Sequence, residues 1–138
     1  MEDLEQRKES LVEDFSMFDE WLDKYQYIIE LGHKLPPFPE EKKTEDRKIK
    51  GCQSNVWLDY KVQNGVIDFS ADSDALITKG IISMLVGVYS GCRVEQIAAD
   101  DFAFVEQLGL RENLTPTRAN GLASMIEKIK DIARKNLK

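Results

Sequence analysis

Disulfide-forming and metal-binding residues are scarce in this chain of 138 residues. It has two cysteines, Cys52 and Cys92, and a single histidine, His33. Small secreted domains held by disulfides carry many more cysteines, and zinc or iron–sulfur sites usually need four ligands. The sequence therefore predicts no bound metal and a reducing compartment, so we expect a cytoplasmic location. His33 is interpreted as a helix-end or surface residue rather than a catalytic one.

Long apolar runs and an excess of basic residues are also missing. No apolar stretch approaches the roughly 20 residues that span a bilayer, and the acidic N-terminus predicts no signal peptide. The net charge of −6 argues against a protein that binds phosphate backbones, because such proteins need a basic face. We expect no membrane and no nucleic-acid partner, and one soluble globular domain over residues 1–138.

A β-hairpin is the clearest structural feature of the sequence. Asn64-Gly65 is a strong signal for a two-residue type I′ turn. Counting outward from this turn places apolar pairs on one face of two antiparallel strands. The predicted pairs are Val62 with Ile67, Tyr60 with Phe69 and Leu58 with Ala71, with Lys61 opposite Asp68 on the other face. A slip of one residue would turn every apolar side chain to solvent, so the pattern fixes the register.

Helical periodicity surrounds the hairpin on both sides. A first apolar stripe runs from Leu4 to Phe18, and Ser16 with Asp19 predicts a capping box for a second helix. Gly32 is predicted to end that second helix as a left-handed cap. The charged run over 40–48 is interpreted either as a solvated loop or as a partner-docking segment.

Two further helices are predicted after the hairpin. Asp72 or Ser73 could cap a buried helix that begins near Asp74. Its internal Gly80 is interpreted as allowing the sheet to approach closely. Thr115-Pro116 predicts the start of a long C-terminal helix. The fold class is therefore α+β, an antiparallel sheet built on the central hairpin and packed by helices on one side.

Cys52 is the candidate reactive residue, and it lies just before the first predicted strand. Gly51 allows a tight turn, which would place the thiol at the tip of a loop entering the first strand. Arg47, Lys48 and Lys50 are close in sequence, and neighbouring cations favour the reactive thiolate. The alternative is a buried cysteine that packs as a small hydrophobic residue. Cys92 follows Ser90-Gly91 and is interpreted as structural, although Arg93 beside it could lower the pKa of its thiol.

The segment Gly51-Cys52-Gln53-Ser54-Asn55-Val56-Trp57-Leu58 closely resembles the cysteine loop of the SufE family of sulfur-acceptor proteins. Further stretches match in the expected order, so the resemblance covers nearly the whole chain. They are Tyr27–Gly32 with Leu35-Pro36, Asp72–Ala75 with Lys79-Gly80, and Leu114–Leu122. One departure is Arg47, which stands where the family often carries asparagine.

The resemblance implies a function as well as a fold. SufE-like proteins take persulfide sulfur from a pyridoxal-phosphate cysteine desulfurase, stimulate that enzyme, and pass the sulfur to an iron–sulfur scaffold. Cys52 would be the acceptor, and the partners would be a SufS-like desulfurase and a SufBCD-like scaffold complex. Pyridoxal phosphate belongs to the desulfurase, so no cofactor and no independent enzymatic activity are expected here. The chain is expected to be a monomer or a homodimer, with the sheet layout shared by SufE and the cluster-scaffold proteins.

Supporting residues follow from the same resemblance: Gly51, Gln53, Ser54, Asp74 and Arg118 are expected around the loop or at the partner contact. Arg118 also stands out physically, because a cation in the first turn of a helix is disfavoured. It could pair with Glu112 or a nearby aspartate, or it could face the Cys52 loop and stabilise a sulfur anion.

Two other functions remain possible from the residues alone. The chain could be a free-standing thiol redox enzyme, a peroxidase or a reductase, although it has no C-x-x-C pair. It could also be a non-catalytic interaction module in which Cys52 is incidental.

Overall fold

Helices surround one face of a small antiparallel sheet. The computed structural model describes residues 4–137, and within them seven α-helices and three strands follow one another. The helices are α1 (Leu4–Ser16), α2 (Trp21–His33), α3 (Leu76–Tyr89), α4 (Val94–Ala99), α5 (Phe104–Gln107), α6 (Leu110–Asn113) and α7 (Pro116–Lys135), and the strands are β1 (Val56–Gln63), β2 (Val66–Ser73) and β3 (Cys92–Arg93). The mixed α+β class predicted from the sequence is confirmed.

The hairpin register is confirmed pair by pair. Asn64 and Gly65 form the turn with φ values of 55° and 78°. The predicted pairs are all present, including Leu58 with Ala71 and Lys61 with Asp68. β3 adds to the free side of β2 near the turn, so the strand order is β1-β2-β3.

The two faces of the hairpin differ in what covers them. Residues of the apolar face are buried against the helices, and they include Leu58, Ile67, Phe69 and Ala71. The other face carries acidic residues that bind the charged segment 40–48. Lys42 pairs with Asp59 at 3.2 Å, and Lys43 pairs with Asp72 at 3.1 Å. The segment therefore lies against the hairpin through ion pairs while its residues stay exposed or partly exposed, and a partner-docking role for it stays a prediction.

The predicted capping box at the start of α2 is wrong. Ser16 is the last residue of α1, and its hydroxyl donates to the Glu13 carbonyl at 2.7 Å. α2 begins at Trp21 after Glu20, which provides no side-chain cap. Residues 17–20 form the turn between the two helices, so the polar pair that suggested a cap is divided between α1 and that turn.

Gly32 does not end α2, contrary to the prediction. It is buried inside the helix, which continues to His33. A Cβ atom on Gly32 would lie 2.9 Å from the backbone nitrogen of Gly80, and one on Gly80 would lie 2.1 Å from the Ile28 carbonyl oxygen. The two glycines let α2 and α3 touch backbone to backbone, so Gly80 accommodates a helix rather than the sheet.

The prediction that Asp72 or Ser73 caps α3 is also wrong. β2 continues to Ser73, which pairs with Val56, and α3 begins at Leu76 with Ala75 as its N-cap. The strand therefore takes both residues that had been assigned to the cap.

The start of α7 is as predicted. The Thr115 hydroxyl accepts a hydrogen bond from the backbone N–H of Arg118 at 3.3 Å, and Pro116 is the first helical residue. Buried residues then recur along one side of α7. They are Gly121, Leu122, Met125, Ile126, Ile129, Ile132 and Ala133.

Candidate functional site

The loop that carries Cys52 projects from a fixed base. The backbone N–H of Ile49 donates to the Val56 carbonyl at 2.8 Å, and both of these side chains are buried. Residues 50–55 therefore form a short loop at the end of β1 opposite the hairpin turn. The sequence predicted Cys52 in such a loop at the entry to the first strand.

Gly51 is required by both its conformation and its surroundings. Its φ of 93° lies in the left-handed region, which glycine adopts far more readily than other residues. A Cβ atom at this position would lie 2.3 Å from the Ser124 hydroxyl oxygen on α7. The tight turn inferred from the sequence therefore also brings the loop backbone onto α7.

The Cys52 side chain rests against α7. Its Sγ lies 3.6 Å from the Gly121 carbonyl oxygen, to which the thiol donates. The residue is half-buried, and this burial raises the pKa of the Cys52 thiol above its ordinary value. The resting conformation therefore favours the neutral thiol over the thiolate.

The prediction that neighbouring cations lower the pKa of Cys52 is wrong for this conformation. Arg47 pairs with Asp59 at 3.4 Å, and Lys48 pairs with Glu45 at 3.0 Å. Lys50 lines a different groove, together with Lys48 and acidic residues that include Glu45 and Asp131. Closeness in sequence did not place these charges at the sulfur.

A cavity of about 370 Å³ opens beside the thiol. It is bounded by the Cys52 loop, by the first turns of α3 and by the first turns of α7. Gln53 and Ser54 line it together with Cys52. The other lining residues are Thr78, Ile81, Thr115, Thr117, Arg118, Gly121 and Met125.

Arg118 lines the same cavity as Cys52. Its side chain is exposed, and the ion pair with Glu112 or an aspartate that the sequence offered as an explanation is absent from residues 4–137. Its backbone N–H donates to the Thr115 hydroxyl. The structure thus brings to one cavity the thiol and a guanidinium that has no ion pair among the described residues.

Asp74 lies at the exit of the loop rather than in the cavity. Its carboxylate accepts hydrogen bonds from the backbone N–H and the side-chain amide of Asn55. The Asp74 backbone N–H donates in return to the Asn55 carbonyl at 3.3 Å. Asp74 therefore ties the loop to the junction between β2 and α3.

The sequence profile of the SufE family, described as an Fe-S metabolism associated domain, matches residues 9–133. The chain belongs to the SufE family. This membership places it in iron–sulfur metabolism and sulfur transfer. The match includes the Cys52 loop and both helices that bound the cavity.

Two bacterial relatives support the SufE assignment. An uncharacterized SufE-like protein of Rhizobium etli is 40% identical over 131 residues, which cover 91% of this chain and 88% of the relative. An uncharacterized SufE-like protein of Rhizobium meliloti is 38% identical over 134 residues, covering 94% and 96% of the two chains.

The fold recurs in a more distant solved structure. The solution structure of a hypothetical protein from Thermus thermophilus superposes with a TM-score of 0.76 at 23% identity, covering 94% of each chain. At that identity the likeness concerns the fold alone.

Some residues of this SufE-family site were not singled out from the sequence. Gly121 falls in the motif that carried the resemblance, and a glycine within a helical apolar stripe signals a packing or functional constraint. Thr78 and Ser124 gave no such signal, because a single hydroxyl residue on a helix is compatible with many environments. Their relation to Cys52 depends on contacts between distant parts of the chain.

Cys92 lies in a different environment. It is 5% exposed, and its thiol donates to the Val88 carbonyl at 3.5 Å. Burial raises the pKa of this thiol, and the charge of Arg7 opposes that shift only in part. The sequence suggested Arg93 as the cation beside this sulfur. In the structure it is Arg7, whose guanidinium nitrogen lies 3.5 Å from Cys92 Sγ.

Between residues 4 and 137, histidine, cysteine and carboxylate side chains do not gather in a group of three or more that could hold a metal ion. Within the same range, none of the helices combines the length and apolar character needed to cross a membrane.

Proposed function

We propose that this protein accepts persulfide sulfur on Cys52 from a pyridoxal-phosphate-dependent cysteine desulfurase. It would stimulate that enzyme by removing its product sulfur, and would then deliver the sulfur to an iron–sulfur assembly scaffold. The observation that carries the proposal is the half-buried Cys52 thiol facing a cavity that it shares with Arg118, whose guanidinium forms no ion pair with any residue from 4 to 137. Membership of the SufE family supplies the class of partner.

The transfer follows the rules of thiol–disulfide exchange. The Cys52 thiolate attacks the outer sulfur of the desulfurase persulfide, a new S–S bond forms on Cys52, and the S–S bond on the desulfurase breaks. The desulfurase cysteine leaves as a thiolate and takes up a proton. The sulfur changes carrier without net oxidation or reduction, so no external oxidant or reductant is required.

The resting structure supports a protected carrier rather than a permanently reactive thiol. Burial of Cys52 favours the thiol, which is a weaker nucleophile than the thiolate. Docking on the desulfurase would therefore have to move the loop outward, and Gly51 has the backbone freedom for that movement. After loading, the cavity beside Sγ offers space for the added sulfur atom.

Arg118 would act on the sulfur anion. Its guanidinium lines the cavity and is not engaged in an ion pair within the described residues. A cation close to a thiolate or persulfide anion stabilises the charged form. This role would also account for a cation in the first turn of α7, where the helix dipole disfavours it.

The thiol redox alternative is disfavoured by the position of the second cysteine. Cys92 pairs with Ile67, which is opposite Val62 near the hairpin turn. Cys52 lies beyond Val56, so six residues of strand, about 20 Å at roughly 3.3 Å each, separate the two ends. A disulfide needs Cα atoms within about 7 Å, so Cys92 cannot resolve an oxidised Cys52 in this fold. A peroxide-consumption assay would test the remaining redox reading.

The deciding experiment mixes the protein with a cysteine desulfurase and free cysteine. Alanine release measures stimulation, and peptide mass spectrometry under non-reducing conditions locates the added sulfur. We expect faster alanine release and one or more extra sulfur atoms on the Cys52 peptide alone.

Two single substitutions complete the test. Cys52→Ser should abolish both the adduct and the stimulation while still binding the desulfurase, and buried Cys92→Ser should retain both. Full stimulation by Cys52→Ser, or persulfide found first on Cys92, would refute the proposal. Binding with no transfer in the unaltered protein would instead support the interaction-module alternative.

A further inference from the structure

The contact between Cys52 and α7 depends on the absence of a side chain at Gly121. A Cβ atom built on Gly121 would lie 3.3 Å from Cys52 Sγ and 3.8 Å from Cys52 Cβ. The first distance is tighter than most contacts that real Cβ atoms make, whereas the second is an ordinary van der Waals distance. The sulfur would therefore have to move by a few tenths of an ångström to admit the first side-chain carbon of any other residue at 121.

The helix itself gives no reason for glycine at this position. Gly121 lies in the interior of the 20-residue helix α7, and its φ is not positive. Glycine is less favourable than alanine inside a helix. The contact with the thiol is the local feature that alanine would disturb.

A second glycine contact lies one turn further along α7. The would-be Cβ of Gly51 meets the Ser124 hydroxyl oxygen at 2.3 Å, and Ser124 follows Gly121 by three positions on the same face of the helix. The loop thus approaches α7 at two adjacent points, once through its own glycine and once through a glycine of the helix.

We propose that Gly121 is a positioning residue. Because it has no side chain, α7 leaves room for the Cys52 sulfur beside Gly121 and shelters it there, and we call this space the seat. With a larger residue at 121 the loop would have to stand away from α7, and the thiol would be exposed without any partner. The functional consequence rests on the proposed sulfur-acceptor role: Gly121 would keep the carrier closed until the desulfurase opens it.

Alkylation of Cys52 tests the seat directly. The rate of iodoacetamide modification at pH 7 is followed on the Cys52 peptide by mass spectrometry, with no desulfurase present. Gly121→Ala should react about tenfold faster than the unaltered protein, a factor within the range by which overpacking shifts a closed contact. Its rate-against-pH curve should also move to lower pH, because burial is what raises the pKa of this thiol.

Gly87→Ala is the matched control. Gly87 also lies in a helix, but nothing is within 4 Å of the Cβ it would gain. This variant should alkylate at the unaltered rate while gaining thermal stability from the better helix former. A Gly121→Ala protein that is folded and reacts like Gly87→Ala would overturn the proposal.

A double-mutant cycle separates the seat from general effects on α7. Cys52→Ala removes Sγ and leaves the ordinary contacts with Cys52 Cβ at 3.8 Å and Cα at 3.9 Å. Gly121→Ala should therefore raise thermal stability more in the Cys52→Ala background than in the unaltered one, because residues in contact are not additive. Additive effects would refute the contact. If Gly121→Ala fails to fold, folding of the double variant supports the seat, and failure of both refutes it.

Failure of the Gly121 seat and failure of the sulfur-acceptor role of Cys52 can be told apart. Alkylation and unfolding need no desulfurase, so the seat can be refuted while sulfur still loads on Cys52. Conversely, an alkylation result that establishes the seat stands even if sulfur transfer to Cys52 is never observed.

Discussion

Asp74 and Asn55 hold each other through three hydrogen bonds. The Asp74 carboxylate accepts from the Asn55 backbone N–H at 3.1 Å and from its side-chain amide at 2.9 Å. The return bond runs from the Asp74 N–H to the Asn55 carbonyl at 3.3 Å. This pair fixes the exit of the Cys52 loop, as Gly51 and Gly121 fix its approach to α7.

Removal of the Asp74 carboxylate should loosen the loop more than it weakens the fold. Asp74→Ala should cost about 1 kcal/mol of unfolding free energy, the usual net contribution of an intramolecular hydrogen bond. Backbone hydrogen exchange at 52–56 and alkylation of Cys52 should both become faster. Asp68→Ala, which removes an exposed carboxylate elsewhere on the hairpin, should leave both rates unchanged. Equal effects of the two variants would show that the Asp74 contacts do not restrain the loop.

Arg118→Ala should slow sulfur acceptance without destabilising the protein. Its guanidinium is exposed and unpaired among residues 4–137, so the unfolding free energy should change by less than about 0.5 kcal/mol. The rate of persulfide formation on Cys52 should fall about tenfold, consistent with loss of a charge-assisted hydrogen bond. Arg118→Lys should fall in between, because lysine keeps the charge but not the planar fork.

Arg134→Ala is the charge-matched control for Arg118. Arg134 is exposed at the opposite end of α7 and pairs with Glu127 and Asp131. Sulfur acceptance should be normal in this variant. Transfer rates that are equal for Arg118→Ala and the unaltered protein would contradict a role in stabilising the sulfur anion.

The sheltered position of Cys52 should be lost at alkaline pH. Burial raises the pKa of the thiol above its ordinary value of 9.0. An acid whose folded-state pKa is raised contributes stability that is complete below the unfolded pKa and disappears as pH rises through the folded one. The closed loop should therefore persist at neutral pH and open above about pH 9.

Alkylation kinetics check this pH dependence. The midpoint of the rate-against-pH curve for Cys52 should lie higher in the native protein than in the same protein unfolded in urea. A native midpoint below the urea value would show that the cations near Cys52 in sequence, rather than burial, control its ionisation.

Hydrogen exchange should report opening of the loop on docking. Because the resting thiol is sheltered and the left-handed Gly51 provides a hinge, exchange at 50–54 should increase when a desulfurase binds. The hairpin turn at 63–66, at the far end of the sheet, serves as the internal reference and should not change. Unchanged or greater protection at 50–54 while sulfur transfer proceeds would contradict the opening.

Two glycines of α3 should respond oppositely to alanine. Gly80→Ala would place a methyl group 2.1 Å from the Ile28 carbonyl oxygen, and overpacking a closed contact typically costs about 1–3 kcal/mol. Gly87→Ala meets no neighbour and should gain roughly 0.5–1 kcal/mol from helix propensity. Urea denaturation of both variants measures the difference. A stable Gly80→Ala protein would show that α2 and α3 can separate without cost.

Features set by near neighbours in the chain could be predicted from the sequence. Asn64-Gly65 and the alternation around it determined the register, because a turn of two residues leaves only one pairing that buries the apolar face. Thr115-Pro116 determined where α7 begins, since a hydroxyl cap and a proline act within a single turn. The motif around Cys52 indicated the family, which the match over 9–133 confirmed.

Contacts between distant segments were decided only by the tertiary structure. Gly32 fits a left-handed cap by local reasoning, but packing against Gly80 keeps it inside α2. Arg47 and Lys48 are close to the Cys52 loop in sequence. In the structure Arg47 forms an ion pair with Asp59, and Lys48 forms one with Glu45. Sequence position fixes only how far a long side chain could reach, and the fold decides which acidic group it meets. The thiol environment depends in the same way on Gly121, 69 positions away, because burial and its effect on the pKa arise only when α7 closes over the loop.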